Sequence, residues 1–177
     1  MTRQSILLIS DTHIPARAPR LPRGVVEAIA EVDLVVHAGD WVDVGTLDVV
    51  ERLSPRFIGV SGNNDHGVLR ERLPEVARFE LDGLRFAVIH ETGAATGREK
   101  RADVAFPDAD VLIFGHSHIP WDSVTPRGMR LLNPGSPTDR RRQPRCTLMV
   151  VTVEDGAITD VEVRTVERDF TAELPDS

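Results

Sequence analysis

The sequence predicts an α/β fold in which buried strands and amphipathic helices alternate, followed by an antiparallel ending. Short, continuous apolar runs such as Ile6–Ile9 and Val111–Phe114 are typical of strands that are buried on both faces. Between the apolar runs in the first part of the chain lie segments whose apolar residues have helical spacing. From Trp121 onward the pattern changes to strands and turns, which indicates that the chain ends in antiparallel strands.

Two helices and two further strands are predicted after the first strand. In Gly24–Val32 the apolar residues share one helical face, and Pro22 lies near the start, as is common at helix N-termini. A second helix is predicted at Gly45–Leu53, because Ser54-Pro55 would end it. The buried strands of this region are predicted at Leu34–Ala38 and Phe57–Val60.

The second half of the chain is predicted to contain a hairpin, one helix and several strands. Asp82-Gly83 is a favoured two-residue turn, so Val76–Leu81 and Leu84–Ile89 are predicted to pair. A helix is expected at Gly97–Val104, ahead of the strand Val111–Phe114. The last predicted strands are Ser123–Thr125, Met129–Leu132, Cys146–Val153 and Ile158–Val166, with Asp155-Gly156 as a turn between the last two.

Length and composition limit the classes of protein that this chain can be. Its 177 residues fit one domain over residues 1–177, with the polar segment 171–177 as a flexible tail. A net charge of −7 argues against a broad nucleic-acid-binding surface and against a polybasic membrane surface. Cys146 is the sole cysteine, which favours a reducing compartment. The N-terminal apolar run is too short for a signal peptide, so we expect a cytoplasmic location.

Five predicted strands run directly into residues whose nitrogen and oxygen atoms bind divalent metals. In open α/β sheets, functional residues gather just beyond the carboxyl ends of the strands. The sequence therefore predicts that these groups meet at one edge of the sheet. The five segments are Ser10-Asp11-Thr12-His13, Gly39-Asp40, Ser61-Gly62-Asn63-Asn64-Asp65, His90 and Gly115-His116-Ser117-His118.

Each of these segments, taken alone, has an ordinary structural explanation. Asp11 can cap a helix, Gly39-Asp40 can be a plain turn, and a single buried histidine is more often a core residue than a ligand. The ordered set is much harder to explain by chance, because every member follows a strand. His37 lies within a strand and is interpreted as structural; His66 is interpreted as a loop residue.

Two further features do not belong to this set. Cys146 lies far from every motif and is predicted to be part of the core. Three adjacent arginines, Arg140–Arg142, lie in the turn-rich region before the last two strands. They predict a solvated loop, with a phosphate-attracting patch near a site as the alternative.

In this order the motifs resemble the calcineurin-like metallophosphoesterase superfamily. The short length and Asn133-Pro134-Gly135-Ser136 resemble its small YfcE-type phosphodiesterase branch. The resemblance implies a four-layer αββα fold, in which two mixed β-sheets pack as a sandwich flanked by helices. It also implies a dinuclear metal site at one edge. It assigns Asp11, His13 and His118 to one ion and Asn63, His90 and His116 to the other, with Asp40 bridging both.

The chemistry of phosphate esters explains this choice of residues. Two divalent ions roughly 3.5–4 Å apart can hold a bridging hydroxide at neutral pH and clamp the phosphoryl oxygens. Mixed oxygen and nitrogen ligands suit manganese, which we expect first, and also iron, nickel, cobalt or zinc. The absence of thiolates argues against a closed structural zinc site.

The sequence departs from the wider superfamily pattern at one position. Many members have a histidine directly after the liganding asparagine, and it is assigned as the proton donor to the leaving group. Here that position is Asn64, and an amide is not a general acid. His66, two residues later, is the candidate substitute, so Asn64 and His66 are the residues to test for catalysis.

The predicted function is metal-dependent hydrolysis of small phosphodiesters. The alternatives are a phosphomonoesterase with the same site and a non-catalytic scaffold protein, because a retromer subunit has this fold. A DNA nuclease is disfavoured by the acidic composition. We expect no nucleic-acid polymer and no membrane as partner, and self-association into a homo-oligomer is left open.

Overall fold

The computed structural model describes residues 3–174, which form ten strands and four helices. Each helix lies on the outside of one of two five-stranded sheets. The strands are β1 (Arg3–Ile9), β2 (Leu34–His37), β3 (Phe57–Gly59), β4 (Val76–Leu81), β5 (Leu84–Ile89), β6 (Val111–Ile113), β7 (Trp121–Val124), β8 (Arg130–Asn133), β9 (Cys146–Glu154) and β10 (Ala157–Val166). The helices are α1 (Arg23–Ala30), α2 (Val44–Leu53), α3 (Val68–Arg72) and α4 (Arg98–Ala105).

Both sheets contain parallel and antiparallel pairs. The first has the order β10-β9-β1-β2-β3, in which β1, β2 and β3 are parallel and β9 is antiparallel to both its neighbours. The second has the order β4-β5-β6-β8-β7, with β5, β6 and β8 parallel and an antiparallel strand at each edge. The prediction of two mixed sheets is therefore confirmed.

The alternation of side chains along β1 explains how the first sheet is buried. Successive residues of a strand point to opposite faces. Leu7 and Ile9 pack in the same cluster as Val25 of α1 and Leu47 of α2, whereas Leu8 packs between the two sheets. A strand covered on both faces must be apolar at every position, which is why the run Ile6–Ile9 has no polar residue.

The second sheet repeats this arrangement with α4 as its cover. Val111 and Ile113 of β6 pack between the sheets, and Leu112 packs on the opposite face with Ala102 and Phe106. The order of layers is thus helices, sheet, sheet, helix. This is the four-layer αββα sandwich that the motifs predicted.

The sequence missed one element and misplaced the ends of others. Helix α3 was not predicted, because five residues with Leu69 as their buried member are too few to show a helical period. Strand β1 begins at Arg3, before its apolar run, because its polar end continues to pair with β9. Strand β7 lies at Trp121–Val124 instead of Ser123–Thr125.

The C-terminal segment follows the body of the protein as far as the structure describes it. Leu174 lines a cavity of about 170 Å³ together with Ile14 and Leu21. Residues 175–177 of the predicted tail lie outside the described residues. Between residues 3 and 174, no helix is long and apolar enough to cross a membrane.

Candidate metal centre

The ends of five strands bring together the seven predicted ligands, here called the metal-centre residues. Strands β1, β2 and β3 lead into the first four of them, and β5 and β6 lead into the other three. Because both sheets present these strand ends at the same edge, residues more than 100 positions apart in sequence, such as Asp11 and His118, come into contact. The metal-centre residues are Asp11, His13, Asp40, Asn63, His90, His116 and His118.

Asp11, His13 and His118 form the first cluster, in which one ligand atom from each residue lies within 4.8 Å of the others. Asp11 Oδ1 is 3.3 Å from His118 Nε2 and 3.8 Å from His13 Nε2. These three atoms are buried and make no hydrogen bond within residues 3–174. Ligands about 2.0–2.2 Å from a shared ion lie about 3–3.6 Å from one another, so the Asp11–His118 separation fits a divalent ion and His13 would have to move closer by a few tenths of an ångström.

The second cluster contains Asp40, His90 and His116, again with ligand atoms within 4.8 Å of one another. Asn63 lies against it, because its Oδ1 is 2.9 Å from His90 Nε2 and 3.0 Å from His116 Nδ1. The donor set is one carboxylate, two imidazoles and an amide oxygen. Such a mixture of nitrogen and oxygen atoms suits a first-row divalent metal.

Asp40 is the residue that connects the two clusters. Its Oδ2 is 3.4 Å from Nε2 of His13 in the first cluster and 3.3 Å from Nε2 of His90 in the second. The carboxylate is almost completely buried, with 1 % of the residue exposed. It therefore lies between ring nitrogens of both clusters.

Three of the histidines are oriented by an oxygen atom on the side away from the clusters. His90 Nδ1 donates to the carbonyl of Ala38 at 2.7 Å, and His118 Nδ1 donates to the carbonyl of Asp139 at 2.5 Å. His116 Nε2 is 3.7 Å from Glu91 Oε1. Metal-binding histidines are commonly held in this way.

The sequence pattern alone does not point to Glu91 or Asp139. Glu91 directly follows His90, which is the one local signal for it. Asp139 acts through its backbone carbonyl, and a carbonyl leaves no signal in a sequence.

Five of the metal-centre residues have a left-handed backbone conformation, which is uncommon for residues other than glycine. Backbone strain of this kind is found preferentially at functional sites, because it directs side chains out of a sharp turn. The φ angles are 57° for Asp11, 43° for His13, 62° for Asp40, 67° for His116 and 61° for His118.

Two glycines allow the loops of the metal centre to approach each other closely. A Cβ atom at Gly115 would overlap Ser10 Oγ, and one at Gly62 would overlap Asp40 Oδ1. Both glycines belong to motifs that the sequence singled out. Their role is to leave room for the neighbouring carboxylates.

The electrostatic environment keeps both buried carboxylates ionised. Burial by itself would raise the pKa of Asp11, but the neighbouring imidazoles of His118 and His13 outweigh it and hold the pKa well below its usual range. Burial also opposes ionisation of Asp40, but His90 and the hydrogen bonds from Asn64 lower its pKa to about 2. Ionised carboxylates are the form that binds metal.

The structure places the two candidate catalytic residues differently. Asn64 lies at the metal centre, where its Nδ2 donates to Asp40 Oδ2 at 2.7 Å and its backbone N–H donates to Asp40 Oδ1 at 2.8 Å. His66 is exposed in the loop before α3. Neither position establishes a proton donor, so the roles of both residues stay predictions.

His37 has the environment of a structural residue, as the sequence suggested. It is fully buried, and its ring stacks on Trp41 with 3.4 Å between the centroids. Its Nδ1 accepts the backbone N–H of Gly39 at 3.1 Å. Burial lowers the pKa of His37 to about 3, so the ring is neutral at physiological pH.

Comparison with known proteins gives consistent results. Residues 5–156 match the family profile described as the calcineurin-like phosphoesterase superfamily domain. A probable metallophosphoesterase of Methanothermobacter thermautotrophicus is 37% identical over 163 residues, which are 88% of this chain and 89% of the relative. A phosphodiesterase of Methanocaldococcus jannaschii is 28% identical over 126 residues, 63% of this chain and 71% of the relative.

Two solved structures with the same fold differ in how similar their sequences are to this chain. A Thermotoga maritima protein solved by solution NMR is 33% identical, with a TM-score of 0.73 over 92% of this chain and 99% of its own. Vps29 of Entamoeba histolytica, crystallised in complex with Zn²⁺, has a TM-score of 0.73 at 21% identity and covers 93% of this chain and 99% of its own. At 21% identity, the similarity to Vps29 shows a shared fold and nothing about function.

Proposed function

The chain belongs to the calcineurin-like phosphoesterase superfamily, and on that premise we propose that it hydrolyses small phosphodiesters at a site holding two divalent metal ions. The observation that carries this proposal is the set of unpaired buried atoms in the first cluster. Asp11 Oδ1, His13 Nε2 and His118 Nε2 converge without a hydrogen bond within residues 3–174. Buried polar atoms are normally paired, so a group that binds all three is the simplest explanation.

The proposed ligands follow the two clusters. Asp11, His13 and His118 hold one ion, Asn63, His90 and His116 hold the other, and Asp40 bridges both. Manganese is the first choice, with iron, nickel, cobalt and zinc as alternatives, because the donor set is mixed and contains no thiolate. When bound, two such ions lower the pKa of water and offset negative charge on the phosphoryl oxygens.

The protein's own groups prepare the site for this chemistry. The carbonyls of Ala38 and Asp139 fix the orientation of two imidazoles, and Asn64 holds the carboxylate of Asp40 in place. Rigid ligands limit the reorganisation that the reaction requires. The amide of Asn64 supplies no acidic proton, so esters with a stable leaving anion are favoured.

Two considerations support a phosphodiester as the substrate. One matched relative is described as a phosphodiesterase. A formal net charge of −7 also makes a long nucleic acid an unsuitable substrate, which leaves small diesters. A cytoplasmic location and self-association stay predictions of the sequence.

The test is hydrolysis of model esters by metal-depleted and reconstituted protein. Protein that has been depleted of metal with a chelator is loaded with manganese, iron, nickel, cobalt or zinc. The bound metal is then counted by elemental analysis. Rates are then measured with bis(p-nitrophenyl) phosphate and with p-nitrophenyl phosphate. We expect two ions per chain and faster hydrolysis of the diester. Asp11→Asn should abolish activity, whereas Asp43→Asn, a change in the cap of α2, is the control for general damage.

Other results would favour the alternatives. A preference for the monoester would identify a phosphomonoesterase. Two bound ions without hydrolysis of either ester would favour a non-catalytic scaffold protein of the same fold. Protein that binds no divalent ion would contradict the proposal itself.

A further inference from the structure

An arginine-rich segment, residues 139–145, borders the metal centre on one side. It contains four arginines and one aspartate. Asp139 anchors the segment, because its carbonyl accepts a hydrogen bond from His118 and its backbone N–H donates to Ser136 Oγ. The three arginines that follow Asp139 are exposed, as the prediction of a solvated loop required.

Besides Asp139, Arg141 is the member of this segment that contacts the metal centre in the described residues. Its Nη1 donates to the carbonyl oxygen of His116 at 3.3 Å. The contact is to the backbone of His116, whereas the ring of that residue faces Asn63. The guanidinium therefore lies beside the metal-centre residues and not among their ligand atoms.

The positive charge of Arg141 is not balanced by a carboxylate within residues 3–174. Within the same residues Arg140 and Arg142 also have no carboxylate partner, whereas Arg17 lies 3.3 Å from Asp139 and Arg145 lies 3.5 Å from Glu167. A guanidinium has five N–H donors, and the side-chain hydrogen bond of Arg141 to His116 uses one of them. The remaining donors are available to a ligand.

A second charged group, Glu91, lies at the ring of His116, whereas Arg141 contacts its backbone. Glu91 lines a cleft of about 420 Å³ together with Asn63 and His90. Glu75 and Arg70 line the same cleft and are paired with each other at 3.0 Å. Within residues 3–174 Glu91 has no arginine or lysine partner, so its charge would repel a negative group placed beside it, whereas the charge of Arg141 would attract one. The charges thus favour one orientation of the substrate.

We propose that Arg141 binds a second phosphate group, which the substrate carries in addition to the diester that is cleaved. The substrate class is then a phosphodiester with a further phosphate nearby, such as a nucleotide ester with a terminal phosphate. This inference rests on the proposed function, because it concerns the same site. It resolves the two interpretations of Arg140–Arg142: the loop is solvated, and its central residue attracts phosphate.

The test uses two esters that differ by one phosphate. They are thymidine 5′-(p-nitrophenyl phosphate) and the same ester with a 3′-phosphate, and release of nitrophenolate is measured for both. In the wild-type protein loaded with manganese, the 3′-phosphate should raise kcat/KM about tenfold, mainly through a lower KM. Raising the salt concentration should reduce this advantage, because the interaction lies at the surface.

Variants assign the effect to one residue. In Arg141→Gln the ratio of the two kcat/KM values should fall close to one, and Arg141→Lys should restore part of it. Arg145→Gln removes an equal charge from the same segment and should keep the wild-type ratio. A ratio near one in the wild-type protein, or an unchanged ratio in Arg141→Gln, would overturn the inference.

A binding measurement separates this inference from the proposed function. If neither ester is hydrolysed, the proposed function fails, and calorimetry with thymidine 5′-monophosphate and thymidine 3′,5′-bisphosphate then tests Arg141 alone. Tighter binding of the bisphosphate that is lost in Arg141→Gln supports the inference. Equal binding of the two nucleotides contradicts it.

Discussion

The carboxylate of Asp65 accepts a hydrogen bond from the backbone N–H of Asp40 at 2.9 Å and so connects the loop after β2 to the loop after β3. The same carboxylate accepts the backbone N–H groups of Trp41 and Val42 at 2.8 Å and of Gly62 at 2.7 Å. Asp65 is fully buried. Its four hydrogen bonds fix the position of Asp40, the residue that lies between the two clusters.

Replacing Asp65 by asparagine should weaken both folding and metal binding. An amide NH₂ group cannot accept, so Asp65→Asn leaves two of the four backbone donors without a partner. Each buried unpaired donor costs about 1–3 kcal/mol, so the free energy of unfolding should fall by about 3 kcal/mol in urea denaturation. Metal affinity, measured by calorimetry, should fall as well because Asp40 loses its support.

Asp43→Ala is the matched control for this variant. It removes a single hydrogen bond, in which Thr46 N donates to Asp43 at the start of α2. The loss of such a cap costs about 1 kcal/mol and should leave metal binding unchanged. Wild-type stability and wild-type metal affinity in Asp65→Asn would show that Asp65 does not position Asp40.

Asp40→Asn should lose bound metal and nearly all activity while the fold survives. The substitution removes the negative charge that lies between His13 and His90. His13→Ala removes a ligand from one cluster and should leave at least one ion bound. Elemental analysis of both variants, with circular dichroism to check folding, distinguishes the two effects. An Asp40→Asn protein with two ions and normal activity would refute the bridging assignment.

The sequence predicted the layers of the fold because the apolar pattern is strong where a strand is buried on both faces. It predicted the metal-centre residues because each follows such a strand. It did not predict α3, which is too short to show a period. It also gave no role to Asp65, Glu91 or Asp139, because their contacts depend on loops that meet only in the folded chain.

Removal of metal should inactivate the protein without unfolding it. The core between the sheets and the clusters under the helices consist of apolar side chains away from the metal centre. A core of this size is stable without a metal ion. Chelator-treated protein should therefore keep its circular dichroism spectrum and regain activity with Mn²⁺. Ca²⁺ should not restore activity, because Ca²⁺ prefers a cage of oxygen ligands.

The opposite result would be informative. Loss of the circular dichroism spectrum on chelation would show that metal is part of the folded structure. Recovery with Ca²⁺ would show that the imidazoles are not ligands.

His37 should make the protein less stable as the pH falls below about 6.5. Its pKa is about 3 in the folded state and 6.5 when unperturbed. Between these values the unfolded chain binds a proton that the folded chain does not, so acidification favours unfolding. From pH 7 to pH 5 this residue should lower the free energy of unfolding by about 2 kcal/mol.

The variant His37→Gln isolates this contribution. Urea denaturation of metal-depleted wild-type and variant protein at pH 7 and pH 5 measures how far the free energy of unfolding of each falls. The variant is expected to be less stable at pH 7, because it lacks the ring that stacks on Trp41. It should nevertheless lose about 2 kcal/mol less on acidification. An equal loss in both proteins would show that His37 does not resist protonation.

Asn64 should make the reaction depend strongly on the leaving group. Its amide donates to Asp40 at the metal centre, but it cannot deliver a proton as a general acid. General-acid assistance is worth about 10²–10⁴-fold, and its absence matters most when the leaving oxygen is a strong base. We therefore predict good hydrolysis of aryl diesters, whose leaving anion is stable, and much poorer hydrolysis of alkyl monoesters.

The measurement compares wild-type protein, Asn64→His and His66→Ala across esters of graded leaving-group basicity. Wild-type rates should fall steeply as the leaving oxygen becomes more basic, and Asn64→His should make this dependence shallower by supplying a proton donor. If the exposed His66 swings in as a substitute donor, His66→Ala will slow the alkyl esters and leave the aryl esters unaffected. Equal wild-type rates across the series, unchanged by both substitutions, would contradict the prediction. They would show that the reaction is not limited by a missing proton donor in the loop after β3. The steepness of the wild-type series thus measures how much catalysis is lost because residue 64 is an amide and not an imidazole.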